Sequence, residues 1–456
     1  MHRRLLFLLV PALCLLLVTT TLYLGRDRLI RIPALHLPFP HKAAPSTSSA
    51  SNAEQIVATP TSSLAASTTT SATVSATAIT ILNGTVLSAS GIAPYITVIL
   101  DPAVTEPRRL KCPALNTSRY DALLQHKDPQ KNTKDPQHIH YYFAIDLRNC
   151  LALLPRLLGS VVEVVRFLGP EYCALSIIEG NSPDGTGDVL AALSPFLDRL
   201  HLTYFYNSSD INPAKGDRIH KLAALRNLAL QPMFDNLHRV SENTTILFLN
   251  DVAACPEDLL ELALQRHALG ADMTCAMDWT YVGNDPTFYD VWVARTLAGD
   301  SFFEIPPDGN WNSAWNLFWN APDTRSRYDD NLPFQVFSCW NGATAIGAAP
   351  LLDGLRFRET HGGNDGECAQ GEPQIFCKEM WFRGYRKIAV VPIVNLEYSD
   401  EKAEQIKHLK GYASDLARSP GEDNSISWVL EPPEKVKCMP TWDNQFWRPW
   451  NETLRL

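Results

Sequence analysis

The chain has 456 residues, 45% hydrophobic and 20% charged, a globular composition that excludes wholesale disorder, a collagen-like repeat and a small disulfide scaffold. A net charge of -9 without any dense Lys/Arg stripe argues against nucleic acid as a partner. Eleven Trp and 32 Pro exceed ordinary usage, and Trp in polar loops suits stacking on sugar rings, although most Trp serve a core.

At the N-terminus Arg3 and Arg4 precede an uncharged run over 5–24, closed by Arg26, Asp27 and Arg28. Twenty uncharged, mostly apolar residues span a bilayer. A cleaved signal peptide would have a shorter core and an A-x-A site, whereas this run ends in Leu22, Tyr23 and Leu24. The reading is therefore a four-residue cytosolic tail, 1–4, and a transmembrane signal anchor, 5–24. Glycosylation sequons at Asn83, Asn116, Asn207, Asn243 and Asn451 all follow the span, which orients the bulk of the chain into the secretory lumen as a type II protein. Residues 25–136 read as a stem and lead-in, with a Ser/Thr/Ala tract over 44–80 too poor in large apolar residues to fold. Anchor, stem and luminal domain resemble the layout of Golgi glycosyltransferases, which gives the Golgi membrane as the expected location.

Nine cysteines lie beyond the span, so in an oxidising lumen some pair, and the odd one is either a buried free thiol or pairs with another chain. Cys368 and Cys377 are close enough in sequence for a local bridge. No C-x-x-C and no zinc-spaced Cys/His cluster occurs.

The folded domain is expected over 137–456. Apolar runs predict strands at 141–147 (YYFAIDL), 174–178, 202–206 and 245–249 (TILFL), separated by helical stretches at 153–168, 188–200 and about 219–237. Strand and helix alternate without hairpin spacing, so an α/β fold with a mostly parallel, Rossmann-like sheet flanked by helices is predicted. Such sheets bind ligands at the carboxyl ends of their strands. Arg148 and Asn149, Glu179 and Asp184, and Asn250 and Asp251 each follow a strand end and are expected to converge there.

The loop E-x-x-S-x-D-G-T, from Glu179 to Thr186, looks like the nucleotide-sugar loop of GT-A glycosyltransferases, with Glu179 on the base or ribose and amides near Asp184 facing the donor. Taken alone, it is an Asp-Gly turn capping a helix. A nucleoside diphosphate leaving group calls for a divalent cation held by a strand-end carboxylate, and Asp251 in ILFLNDV is placed to be that ligand, with Asn250 beside it. Asp258 is read as a first-turn helix carboxylate.

FLNDV and CAMDW, with E-x-x-S-x-D-G-T, KLAALRNLAL, SCWNGATA and ECAQGEPQIFCKEMW around them, resemble the fungal capsule-associated α-1,3-mannosyltransferase family over 137–398. The resemblance implies a GT-A fold, GDP-mannose as donor, a mannose-containing glycan acceptor, Mn²⁺ or Mg²⁺, retaining α-1,3 transfer onto mannose, and a possible glycosyltransferase complex. Asn250-Asp251-Val252 departs from D-x-D in having one carboxylate. Asp278 is either a second acidic group of the site or the partner of a buried Arg. Arg226 is either a phosphate clamp or a helix-surface residue. Trp340 and Asn341 suit a sugar face and its hydroxyls, unless Trp340 is core. The loop over 361–372 reads as an acceptor-side lid, with Glu372 as the catalytic or acceptor-orienting carboxylate and Glu367 as the alternative. The stretch over 401–422 reads as a solvated helix and loop, and Trp442, Trp447 and Trp450 either pack the tail or extend an acceptor groove. A non-catalytic partner of a glycan-synthesis complex and a glycosidase are the competing functional classes.

Overall fold

A computed structural model describes residues 79–127, 138–361, 366–418 and 425–454. The expected anchor at 5–24, and the stem as far as residue 78, lie outside the described residues. Among those described, no helix is long and apolar enough to cross a membrane.

The expected strand and helix alternation is present. In chain order it comprises β1 (Tyr141–Leu147), α2 (Leu154–Leu168), β2 (Cys173–Glu179), α3 (Thr186–Arg199), β3 (Thr203–Ser208), α4 (Arg218–Asp235) and β4 (Thr245–Leu249), preceded by α1 (Ala89–Leu100). Strands β1, β2 and β4 are almost wholly buried, which is why they read as continuous apolar runs rather than alternating ones. Helix α2 starts with Pro155 in its first turn and stops at Gly169, whose φ of 100° lies where side chains are disfavoured.

Beyond β4 the pattern changes. Helix α5 (Pro256–Leu269) leads to β5 (Met273–Val282), β6 (Asp285–Phe288), β7 (Arg295–Thr296), α6 (Pro322–Asp329), β8 (Phe334–Ser338), β9 (Ala343–Gly347) and α7 (Ala349–Leu352). Helix α8 (Glu372–Phe382), β10 (Ile388–Leu396), α9 (Asp400–Lys410), α10 (Ala413–Leu416), β11 (Lys435–Thr441) and β12 (Asn444–Pro449) complete the order. The large sheet runs β3-β2-β1-β4-β9-β5-β10-β8-β7, with β6 on β5. Its first four strands are parallel, whereas β9 lies antiparallel between β4 and β5, and β8 is antiparallel to β10. The sheet is thus mixed. Because β9 reverses twice, β4, β5 and β10 still point the same way as β1 and β2, and their carboxyl ends share one edge.

Part of the expected lead-in belongs to the folded domain. Ile92, Ile96 and Ile99 of α1, together with Leu110 and Tyr120, enter the core around α2. Asp188 accepts hydrogen bonds from the amides of Thr85, Val86 and Leu87 at 2.7–2.8 Å. A disulfide joins Cys112 to Cys255, and Arg119 grips Glu261 with two contacts of 2.8 and 2.7 Å. These residues looked like a lead-in because their apolar positions are sparse and their polar anchors lie far off in sequence.

Two further bridges join Cys275 to Cys339 and Cys368 to Cys438. The local Cys368–Cys377 bridge is therefore corrected: Cys377 is a buried thiol in α8, and Cys368 instead pins the tail hairpin β11–β12. Among the described residues, Cys150 and Cys173 are the other buried cysteines outside the bridges. The stretch after residue 400 is less solvated than expected. Helix α9 buries Ala403 and Ile406, and its Lys407 Nζ donates to both oxygens of Asp258 at 2.6 and 2.9 Å. Asp258 itself caps α5 by accepting from the Cys255 amide at 2.8 Å, as its first-turn position implied.

Candidate active site

The strand ends converge on one crevice. The Asn250-Asp251-Val252 turn is held by three backbone bonds: Asn250 N to Gly342 O at 2.9 Å, Val252 N to Asn250 O at 2.9 Å, and Ala253 N to Glu397 O at 2.8 Å. Gly342, at φ 82°, is tight against this turn, since a Cβ there would meet Val252 Cγ1 at 3.1 Å and Asp278 Cβ at 3.2 Å. The turn presents Asp251 to a cavity of about 320 Å³ whose lining includes Arg108, Asn149, Cys150, Tyr398 and Asp400.

Asp251 has little to neutralise it. Its Oδ2 accepts only a weak contact from the Cys150 thiol at 3.8 Å, and burial, with the nearby Asp146 charge, pushes its carboxyl up to about 6. Burial and Asp251 in turn push the Cys150 thiol well above its ordinary value, so it remains a donor. A largely buried carboxylate with a second acid nearby offers hard oxygen donors of the kind a divalent cation takes. Among the described residues no group of three or more His, Cys, Asp or Glu is gathered around a metal position. Asp251 is the cavity carboxylate that would hold such an ion.

Arg226 is the hub of the crevice floor. It projects from α4, almost fully buried, and its Nε donates to Glu372 Oε1 at 2.9 Å. Its Nη1 lies 3.3 Å from Asn250 Oδ1 and 3.6 Å from Asp146 Oδ1. The guanidinium sits 4.5 Å from the Trp340 ring centroid and 5.4 Å from that of Phe248. Burial alone would lower its pKa, but Asp146 and Glu372 carry it above the usual value. Trp340 Nε1 donates to Asn250 Oδ1 at 3.0 Å, closing the network.

Several expected contact residues thus lie beneath the crevice rather than on it. Trp340 is 1% exposed and Asn341 0%, so neither offers a face to a sugar. Asn341, at φ 57°, shapes the turn, donating from Nδ2 to Ala276 O at 2.7 Å and from its amide to Asp290 Oδ2 at 2.9 Å. Glu372 at the start of α8 is buried on Arg226. Asp278 is fully buried and has Tyr398 rather than an arginine as partner, the Tyr398 hydroxyl donating to its Oδ2 at 2.5 Å. Burial and the Asp290 charge hold the Asp278 carboxyl well above the usual range, and burial pushes Asp290 up to about 6. Asp278 contacts Tyr398 and Glu372 contacts Arg226, and neither carboxylate lines the cavity.

The donor-loop residues hold their own loop. Glu179 accepts from Ser182 N at 2.5 Å and Ser208 Oγ at 2.9 Å. Asp184 accepts from Thr186 N at 3.0 Å and Oγ1 at 2.6 Å, and from Leu151 N at 3.1 Å, tying the β1 and β2 exits together. Glu367 carries structural ion pairs with Arg358 and Lys378, which fix the described part of the expected lid; residues 362–365 lie outside the described residues. Sequence reasoning missed Asp146, Cys150, Asp290 and Tyr398. Asp146 was legible as the one charge inside YYFAIDL, and Tyr398 as the polar aromatic two residues past the apolar run IAVVPIVNL. Asp290 sits in a loop without any local signal.

One sheet edge thus gathers the Asp251 carboxylate and, beneath it, the buried Arg226 guanidinium with its acidic partners. Residues 140–379 match the family model described as Cryptococcal mannosyltransferase 1. An α-1,3-mannosyltransferase of Cryptococcus neoformans var. neoformans, CMT1, is 33% identical over 384 residues, covering 77% of this chain and 81% of that protein. The chain belongs to the cryptococcal mannosyltransferase 1 family. Among solved structures, it is similar to the Pyrobaculum calidifontis mannosyltransferase PcManGT in complex with GDP-Man and Mn²⁺, with TM-score 0.35 and 12% identity over 62% of this chain and 63% of that one. S. aureus TarS residues 1–349 gives TM-score 0.34 and 14% identity over 60% of this chain and 64% of that one. The chain spans less than two thirds of either structure.

Proposed function

We propose that the chain is a GT-A enzyme that transfers mannose from GDP-mannose to a mannose-containing glycan acceptor, making an α-1,3 linkage with retention and requiring Mn²⁺ or Mg²⁺. The observation that carries this reading is Asp251, an almost unpartnered strand-end carboxylate facing a cavity of about 320 Å³. Family membership supports the choice of sugar and linkage, because the relative is named as an α-1,3-mannosyltransferase. A cation bound at Asp251 would supply charge neutralisation for the departing diphosphate.

Retention is supported by where the acids go. An inverting transfer needs a free carboxylate as general base for the acceptor hydroxyl. Here Glu372 is tied to Arg226 and Asp278 to Tyr398, and of the acids that line the cavity, Asp251 is given to the cation and Asp400 accepts from the Leu110 amide at 2.8 Å. A retaining enzyme lets the acceptor proton pass to the departing phosphate oxygen, so it needs no such base. Arg226 holds Asn250 in place beside Asp251, and Tyr398 forms part of the crevice wall.

A Golgi type II location with the anchor at 5–24 belongs to the same proposal. It is supported by the exposure of all five sequon asparagines, Asn83, Asn116, Asn207, Asn243 and Asn451. The test is incubation of the full-length chain with GDP-mannose, Mn²⁺ and a mannose-terminated acceptor, with linkage read by NMR. An α-1,3 product that vanishes on chelation is expected. An inverted anomer, or activity indifferent to chelation, overturns the retaining or metal-dependent part. Sugar release from a glycan without donor would make the protein a glycosidase.

A further inference from the structure

Among the described residues, a single basic residue, Arg108, lines the cavity that holds Asp251. The acids in the same lining are Asp251 and Asp400. Arg226, which the sequence offered as a phosphate clamp, lies beneath the floor on Glu372 and is absent from that lining. A divalent cation at Asp251 would offset that carboxylate and only part of the charge on a nucleoside diphosphate. The remaining charge calls for a cationic donor of hydrogen bonds, and Arg108 is the group in place to supply it.

Arg108 pairs a pinned backbone with a movable side chain. Its neighbour Arg109 is anchored through the guanidinium, Nη1 donating to Val98 O at 2.9 Å and Pro155 O at 3.0 Å, and Nη2 to Pro102 O at 3.0 Å. Gly159 on α2 makes room for that anchor, since a Cβ there would sit 2.5 Å from Arg109 Nη1. Leu110 N donates to Asp400 Oδ1 at 2.8 Å, and Leu110 O accepts from the buried Arg156 Nη1 at 3.1 Å. The Cys112–Cys255 bridge then ties the strip to the start of α5, just after the Asp251 turn. The Arg108 side chain is by contrast 79% exposed, and its Nη2 donates to Glu404 Oε2 on α9 at 2.9 Å. A pair so exposed to water contributes little to stability and gives way to a more strongly charged partner. Arg108 also lines a second cavity, of about 190 Å³, whose wall includes Asp400, Glu401 and Glu404.

We propose that Arg108 binds the diphosphate of the nucleotide-sugar, exchanging Glu404 for phosphate oxygens when the donor enters the Asp251 cavity. The inference rests on the glycosyltransferase reading above. A guanidinium carries paired N–H groups that match phosphate oxygens, and its charge stays in place as the diphosphate gains charge on departure. The same assignment gives the segment ahead of β1 a task in the site, because its anchors at Arg109, Leu110 and Cys112 fix where Arg108 stands.

The experiment measures binding of GDP and of UDP to the full-length chain by calorimetry with Mn²⁺ present, for wild type, Arg108→Gln, Arg108→Lys and Glu404→Gln. Arg108→Gln is expected to bind GDP at least about tenfold more weakly than wild type, with Arg108→Lys keeping part of the affinity. The gap between wild type and Arg108→Gln narrows as salt is raised. Glu404→Gln binds GDP at least as tightly as wild type, because it releases the guanidinium. Wild-type affinity in Arg108→Gln overturns the proposal and leaves the donor reading standing. A loss in Glu404→Gln equal to that in Arg108→Gln also overturns it, since the ion pair would then serve only the fold. A wild type that binds UDP and not GDP sinks the donor reading, and Arg108 then stands or falls on whether Arg108→Gln weakens UDP. Binding of neither nucleotide overturns both.

Discussion

The two sides of the crevice are built by different means. On the β1–β2 side, polar groups at regular strand ends are satisfied by neighbouring backbone, as when Asp184 holds the Thr186 and Leu151 amides. On the β4–β10 side, buried charges from distant elements hold one another, as Arg226 of α4 does with Glu372 of α8, and Tyr398 with Asp278. The first side is local and survives small changes. The second is a set of long-range pairs in which each member leaves an orphan if removed.

Arg226→Ala breaks the second side most severely. It strands Glu372 and Asp146 in a dry floor and is expected to cost about 3–5 kcal/mol in urea unfolding. A cost below about 1 kcal/mol would mean that water solvates the floor. Replacing Cys112 and Cys255 by serine together removes the tie between the 79–127 segment and α5 and should lower stability by about 2–4 kcal/mol in the same assay.

Asp251→Ala sharpens the contrast from the functional side. It removes a carboxylate that burial already disfavours, so folding should be unharmed while transfer falls at least about 100-fold, or ~2.7 kcal/mol. Equal losses of stability and activity would make Asp251 a structural residue. The smallest effect is in pH. Glu367 is held down to about 2 because Arg358 and Lys378 pair with it more strongly than burial opposes. A depressed carboxyl contributes its full stability above its unfolded value near 4.5 and loses it as pH falls toward 2. The wild type should therefore lose about 2 kcal/mol relative to Glu367→Gln across that window, and parallel curves would remove the ion pairs from the account.

Legibility followed the same division. The β1, β2 and β4 runs and the turns after them were readable because burial on both sheet faces leaves uninterrupted apolar segments ended by polar residues. Asp251 and Asp258 could be assigned from their place after a strand and at a helix start. Trp340 could not, because an indole after a strand looks the same whether it meets a sugar or covers a buried guanidinium. The Cys368 pairing was missed for a similar reason, since its partner Cys438 lies 70 residues away and spacing carries no geometry.

The sequence by itself therefore determined the elements, the parallel half of the sheet and the strand end that carries Asp251, since each depends on periodicity and local turn chemistry. Only the tertiary structure decided that β9 reverses through the sheet and that Glu372 and Asp278 lie below the crevice rather than in it. It also decided that residues once read as a lead-in form part of the core. Those outcomes rest on pairings between residues dozens to hundreds apart, and the energy of a buried charge is set by the partner that the fold brings to it.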